Sequence, residues 1–381
     1  MIKQRLFTPG PTDVPPEVLV EMAKPIFHHR TERFKKMFGE VNEGLKKLLF
    51  TANDVLTIAG SGTAAMEAAI ACACPRDKDK KVLVANGGKF GERWVKVAKA
   101  YGLNVDEVKV EWGTAISPEF VKTRLAGGGY GAVVVVHSET STATVADLAG
   151  IAKAVAGTEA ILIADCITSA GTLPLKQDEW GVDIVAAGSQ KAFMLPPGLA
   201  FVSVSPKAWA NVEKISAPVF YLNLKAYKKS LAASDVPYTP AVSLIRGLKV
   251  SLDMIHAIGI EKIWARSALL AKATREAAKA LGLTVFSKQP SDSVTGILYP
   301  EGVVDKTFRG KCLRDKYGCS VAGGQDHLEG KMFRVSHMGY TDPMDTIGLI
   351  AAVEYALTEC GVKVEIGQGV ATAARVLKDW N

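Results

Sequence analysis

The residues with the clearest chemical potential are Asp165 and Lys191, 26 positions apart, each placed just beyond a short apolar run. Ile161-Leu162-Ile163-Ala164 ends in Asp165, and Asp183-Ile184-Val185-Ala186-Ala187-Gly188 delivers Ser189-Gln190-Lys191. In open α/β sheets, ligands sit in the crevice beyond the carboxyl ends of the strands. An acid and an amine brought to that edge fit pyridoxal phosphate, where a lysine forms the Schiff base and an aspartate keeps the pyridine nitrogen protonated. Taken singly, a lysine after a strand is commonly solvated and an aspartate there commonly caps the next helix.

Further groups converge on the same edge. Ala59-Gly60-Ser61-Gly62-Thr63 follows an apolar run and opens a helical stretch, so its backbone N–H groups and helix dipole suit an anion. It loosely matches the dinucleotide fingerprint, which also wants an acidic residue at the end of the second strand; Val82-Leu83-Val84-Ala85 ends in Asn86 instead. The hydroxyls of Ser61 and Thr63 suit a terminal phosphate better than a bridging pyrophosphate. Phe90 follows the next run and is placed either to stack on a flat heteroaromatic ring or to staple a helix start. His137-Ser138-Glu139-Thr140-Ser141-Thr142 clusters hydroxyls that either bind a ligand's polar rim or cap a turn. Arg334 interrupts the apolar run Met332-Phe333-Arg334-Val335, and a buried guanidinium fork calls for a carboxylate, from a substrate or from the chain itself. His28-His29-Arg30 either meets an anionic substrate or is a solvated helix start. Cys319 is either a nucleophile or a small buried residue beginning a strand.

These residues need a scaffold, and the chain supplies one. Apolar runs at Val55–Ala59, Val82–Ala85, Val105–Val110, Ala132–His137, Ile161–Asp165 and Ile184–Ala187 alternate with helical stretches at about 63–74, 90–101, 117–126 and 146–156. Strands apolar on both faces, separated by helices, predict a doubly wound, mostly parallel sheet. Leu199–Val204 follows too closely for a crossover helix and is expected to pair antiparallel. Long helices are expected at about 241–258 and 261–281, then a smaller α/β unit with strands at Ser293–Tyr299 and Phe333–Val335 and helices at about 305–317 and 343–360. The division expected is 15–258 for a large cofactor-binding domain, with 1–14 and 259–381 forming a small domain joined by the N-terminal arm. The arm itself, Phe7 to Pro16, carries four prolines and a glycine and cannot be regular structure.

Composition narrows the class. The 381 residues are 48% hydrophobic and carry a net charge of +7 without a long basic block, which argues against a nucleic-acid reader. Six cysteines include no C-x-x-C pair, so reduced thiols are expected rather than disulfides or a metal site. No apolar stretch is long enough to span a bilayer and the first residues lack a signal-peptide core. A cytoplasmic protein without membrane or nucleic-acid partners is expected.

With those residues assembled, the chain resembles the class V aminotransferases of PLP fold type I, closest to the alanine–glyoxylate and serine–pyruvate group. The resemblance runs from the Thr-Pro-Gly-Pro arm through Gly60-Ser61-Gly62-Thr63, Asn86-Gly87, His137 to Thr142, Asp165 and Gly188-Ser189-Gln190-Lys191 to Phe333-Arg334. It implies pyridoxal 5′-phosphate as cofactor, Lys191 as the Schiff-base lysine and Asp165 as partner of the pyridinium nitrogen. Ser61, Gly62, Thr63 and Gln190 would hold the phosphate, Thr140 would reach the ring hydroxyl region, and Phe90 and Ile167 would flank the ring. Arg334 would take the substrate carboxylate. Thr239 would reach the phosphate of a neighbouring subunit, so a homodimer with shared active sites is implied. The implied activity moves an amino group, by a ping-pong mechanism, between alanine or serine and glyoxylate or pyruvate. Arg30 keeps open a phosphoserine or aspartate substrate. The sequence departs from the pattern at Phe90, often tryptophan in relatives, and at Val236, a tyrosine in some. Gln190 before the lysine, and Gly318-Cys319-Ser320, count against a cysteine desulfurase.

Overall fold

A computed structural model describes residues 2–378 and Trp380. Its centre is a seven-stranded sheet of β1 (Val55–Gly60), β2 (Lys81–Asn86), β3 (Val105–Lys109), β4 (Tyr130–Val136), β5 (Ile161–Asp165), β6 (Ile184–Gly188) and β7 (Gly198–Val204). The order across the sheet is β1-β7-β6-β5-β4-β2-β3. β7 runs antiparallel to both β1 and β6, as its short connection predicts, while the other neighbours are parallel. The parallel strands therefore end on one edge, and β1, β2, β4, β5 and β6 deliver Ser61, Phe90, His137, Asp165 and Lys191 there.

The strands are apolar on both faces because both are covered. Leu83, Val133, Leu162 and Val185 pack in a core with helices Glu32–Leu49 and Val242–Ile258. Val82, Val84, Val134, Ile163 and Ala186 pack on the opposite side against helices Gly62–Ala73 and Lys89–Ala100. This doubly wound arrangement is the expected one, with one antiparallel strand making the sheet mixed.

A second, antiparallel sheet joins Val294–Leu298, Met332–Ser336 and Ala322–Gly323. Phe308, Leu313, Phe333 and Leu357 form its separate core, to which Phe7 from the N-terminal arm contributes. Just before Phe7, Arg5 and Leu6 pair in parallel with Cys319 and Ser320. Cys319 is thus a buried strand residue, and burial raises its thiol pKa, the opposite of what a nucleophile needs. The helix expected at about 305–317 spans Lys306–Lys316, wound with π-type hydrogen bonds. A further helix, Gln368–Leu377, is capped by Glu354, whose carboxylate accepts from Gly367, Gly369 and Val370 N–H groups at 2.7–3.0 Å.

Candidate active site

Asp165 ends β5 and is buried. Its two oxygens are held separately: Trp94 Nε1 donates to Oδ2 at 2.9 Å and the Ile167 N–H donates to Oδ1 at 3.0 Å. Burial raises its pKa, with the Trp94 and Ile167 bonds and the charge of Lys191 opposing. Such a carboxylate is fixed in direction and keeps lone pairs for a cationic N–H.

Lys191 lies three residues beyond β6 and is also buried. Burial, with the nearby Arg334 charge second, pushes its ammonium down to about 8, against a small opposing pull from Asp165. Its Nζ donates to the Pro9 carbonyl of the N-terminal arm. The arm is clasped onto the lysine: Thr12 N–H donates to Gln190 O at 3.2 Å and Thr12 Oγ1 donates to Lys191 O at 2.8 Å. Gly10 has φ +130°, and a Cβ there would fall 2.6 Å from Lys191 Cδ, so only glycine permits this approach.

Arg334, on strand Met332–Ser336, is buried and held by carbonyls rather than by an acid. Nε donates to Gly323 O at 2.9 Å and Nη1 to Thr140 O at 2.7 Å. Among the described residues it forms no salt bridge. Burial pushes its pKa down to about 10, with the charge of Glu139 as the leading opposing influence. The guanidinium keeps further N–H donors, which are suited to a carboxylate.

Ser61 starts helix Gly62–Ala73 in extended conformation without a capping side-chain bond. A Cβ on Gly62 would fall 2.9 Å from Ile167 Cγ1, so the missing side chain lets the helix start approach the loop after Asp165. Gln190 Oε1 is buried without a partner in the same neighbourhood, 3.1 Å from where a Cβ on Gly188 would lie. Phe90 sits in the first turn of helix Lys89–Ala100, half-buried. Below it, buried Glu139 accepts from the N–H groups of Phe90 at 3.1 Å, Gly91 at 3.0 Å and Ser141 at 3.2 Å, and also from Ser141 Oγ. This acid fixes the start of the helix that carries Phe90, and its pKa is raised by burial.

Thr140 supplies its carbonyl to Arg334, so the backbone of this hydroxyl cluster has a positioning task. His137 is buried, stacked edge-on against Trp180, and pushed down to about 4 by burial; it is neutral at physiological pH. Arg30 is exposed, and its Nη1 is bound to Asp235 Oδ2 at 2.7 Å. Thr239 is exposed as well, four residues past Asp235, beside the aromatic group of Phe220, Tyr221 and Tyr238. Tyr221 Oη donates to Ala59 O at 3.1 Å, which places that group at the end of β1 that leads into the phosphate turn.

Trp94, Glu139 and the Pro9–Thr12 arm take places in the site that the sequence motifs left unassigned. A signal for Trp94 existed: it lies four residues after Phe90, on the same helical face, so placing Phe90 over the crevice places Trp94 beside it.

The profile of the class-V aminotransferases matches residues 5–340. The chain belongs to that family. It is 41% identical over 98% of its length to a protein named soluble hydrogenase, small subunit, of Synechococcus, covering 98% of that protein. It is 36% identical to the L-aspartate–glyoxylate aminotransferase of Paracoccus denitrificans (97% of this chain, 94% of that one). It is also 36% identical to the serine–glyoxylate aminotransferase of Methylorubrum extorquens (99% and 96%). The crystal structure of pyridoxamine–pyruvate aminotransferase from Mesorhizobium loti superposes with a TM-score of 0.93 at 30% identity, covering 99% of this chain and 98% of that one. The chain is accordingly a PLP-dependent aminotransferase of fold type I.

The residues present suit pyridoxal phosphate. The open helix start would receive the phosphate, the buried pair Asp165 and Lys191 the pyridinium and the aldehyde, and Arg334, which forms no salt bridge among the described residues, a substrate carboxylate.

Proposed function

We propose that this aminotransferase exchanges amino groups between a small amino acid, alanine or serine, and glyoxylate or pyruvate. The observation that carries this reading is Arg334, a buried guanidinium fixed by two carbonyls and without a salt bridge among the described residues. It fits the α-carboxylate shared by every amino and oxo acid. The names of 36%-identical relatives support glyoxylate as an acceptor and divide between serine and aspartate as donor. The Arg30–Asp235 pair favours the smaller donors, since the cation that would read a second carboxylate or a phosphate is already matched.

Pyridoxal phosphate, when bound, supplies an electron sink for the bond broken at the substrate's Cα. The Asp165 carboxylate, aimed by Trp94 and the Ile167 amide, holds positive charge at the ring nitrogen. Phe90 and Ile167 would flank the ring and exclude water. Ser61, Gly62, Thr63 and Gln190 bind the phosphate, and Thr140 borders the ring hydroxyl. Lys191 Nζ, whose pKa burial lowers to about 8, would take the proton from the substrate's Cα and deliver it to the carbon two bonds along, as general base then acid. The proposed cycle is ping-pong, with one substrate leaving before the next binds.

We assign residues 15–258 to a large cofactor-binding domain, and 1–14 with 259–381 to a small one. The separate core around Phe333 and the pairing of Arg5–Leu6 with Cys319–Ser320 support that division. A homodimer is proposed as well, supported by the aromatic patch at Phe220, which is 80% exposed, next to Thr239 and the Ser61 turn. A two-fold interface there would bring Thr239 to the neighbouring phosphate. No helix among the described residues is long and apolar enough to cross a membrane, and a cytoplasmic location is proposed. A donor-by-acceptor activity panel tests the substrate assignment. Serine or alanine with glyoxylate or pyruvate should give the highest kcat/KM; preference for aspartate or phosphoserine would reverse it.

A further inference from the structure

Arg93 lies one helical turn beyond Phe90, on the same face of helix Lys89–Ala100. Its Nη1 is 3.5 Å from Thr63 Oγ1, and its guanidinium carbon is 4.9 Å from the centre of the Phe90 ring. Arg93 is exposed and forms no salt bridge among the described residues. Its charge depresses the pKa of both Asp165 and Lys191, which places it within electrostatic reach of the reacting centre.

The phosphate groups assigned so far create an imbalance. Ser61, Gly62, Thr63 and Gln190 are all uncharged, and a helix N-terminus supplies about half a positive charge. A phosphate monoester carries about −1.5 to −2 near neutral pH. Neither of the other cations nearby is free to close that gap. Lys191 is turned to the Pro9 carbonyl, and Arg334 is locked between Gly323 and Thr140 at the other end of the site. Arginine's planar fork is the side chain best matched to phosphate oxygens.

We propose that Arg93 is a further phosphate-binding residue of the cofactor site. Set beside Thr63 and steered by the Phe90 ring, it supplies at the mouth of the cradle the charge that the turn and Gln190 lack. The proposal rests on the cofactor reading above, and its test separates the two. Apoprotein of the wild type, Arg93→Met and Arg93→Lys is titrated with pyridoxal phosphate and with unphosphorylated pyridoxal, followed by Trp fluorescence and near-ultraviolet absorbance at low and high salt. Arg93→Met should raise the Kd for pyridoxal phosphate at least tenfold, leave that for pyridoxal within twofold, and flatten the salt dependence; Arg93→Lys should fall between. Equal weakening of both ligands would mean that Arg93 acts only by orienting Phe90, and would overturn the assignment, as would unchanged binding of both. If the wild type binds neither aldehyde, the cofactor reading fails first and takes the proposal with it. Arg93 is exposed, so thermal melts of the apoproteins should agree; a Met variant that melts early makes Arg93→Lys the deciding variant, and a Kd for pyridoxal phosphate equal to wild type there overturns the assignment.

Discussion

The two anion-binding ends of this site solve the same problem in opposite ways. At the carboxylate end, Arg334 is buried, its Nε and Nη1 are held by main-chain carbonyls, and its desolvation is already complete before any substrate arrives. At the proposed phosphate end the donors would be a helix start, hydroxyls and an amide, and Arg93, which forms no salt bridge among the described residues, is exposed. A preorganised buried guanidinium discriminates, because an ill-fitting partner leaves a desolvated charge unmatched. A solvated guanidinium on a rim adapts, and contributes long-range attraction and retention rather than geometry. On the proposed assignment, the end that exchanges ligands every turnover would be the rigid one, and the end that keeps its ligand the one built from many weak donors.

If both ends serve one reacting centre, the largest effect comes from removing that centre. Lys191→Ala should abolish transamination while circular dichroism stays native; amino exchange at near wild-type rate would break the scheme. Asp165→Asn should retain the cofactor yet lose roughly 10²–10³ in kcat, because an amide cannot balance a pyridinium charge. Normal turnover would mean that another acid serves the ring. Arg334→Lys sharpens the contrast between the ends. It replaces a fixed fork by a point charge, and with charged hydrogen bonds worth about 1.5–3 kcal/mol it should cost roughly 10- to 150-fold in kcat/KM for donor and acceptor alike, with cofactor affinity unchanged.

Smaller effects follow from burial itself. The folded-state pKa of Lys191, about 8, lies below its ordinary 10.5, so the native apoprotein binds the proton less well than the unfolded chain. The cost is fully present below pH 8 and is relieved as pH rises from 8 to 10.5. Apo Lys191→Met should therefore melt a few degrees higher than apo wild type at pH 7, with the gap closing by pH 10.5; a pH-independent gap would count against the buried amine. The smallest change expected is from Arg30→Ala. Its partner Asp235 already matches it, so kcat/KM should fall by an equal, small factor for alanine, serine and aspartate. A selective loss with aspartate or phosphoserine would reopen Arg30 as a reader of a second anion.

How much of this was visible in the chain depended on distance along it. The sheet was legible because strands covered on both faces must be apolar throughout, and Leu199–Val204 had no room to cross over. Lys191, Asp165 and the Ser61 turn were legible because a strand end is a local feature. The Lys191–Pro9 contact spans 182 residues and uses a carbonyl, which has no sequence signature. Trp94 to Asp165 spans 71 residues, yet its place on the Phe90 face offered a clue. Glu139 read as part of a polar turn, and only the fold shows that helix Lys89–Ala100 begins on its carboxylate. The π winding of Lys306–Lys316 was not legible, since its few buried side chains, Phe308, Cys312 and Leu313, fit an α-helical spacing as well as a π one.

The N-terminal arm carries a consequence for measurement. Phe7 N–H donates to Ser320 O at 2.8 Å, and five residues on Thr12 N–H donates to Gln190 O at 3.2 Å. One short strand of chain is therefore moored at both ends, to the small antiparallel sheet's neighbourhood and to the backbone beside the lysine. Amide hydrogen exchange at those two positions reads out, without chromophore or substrate, whether the moorings slip together or separately. Matching opening free energies would describe a cable that transmits displacement of one sheet to the amine of the other. Unequal ones would describe a hinge lying between Phe7 and Thr12, with Gly10 as its pivot.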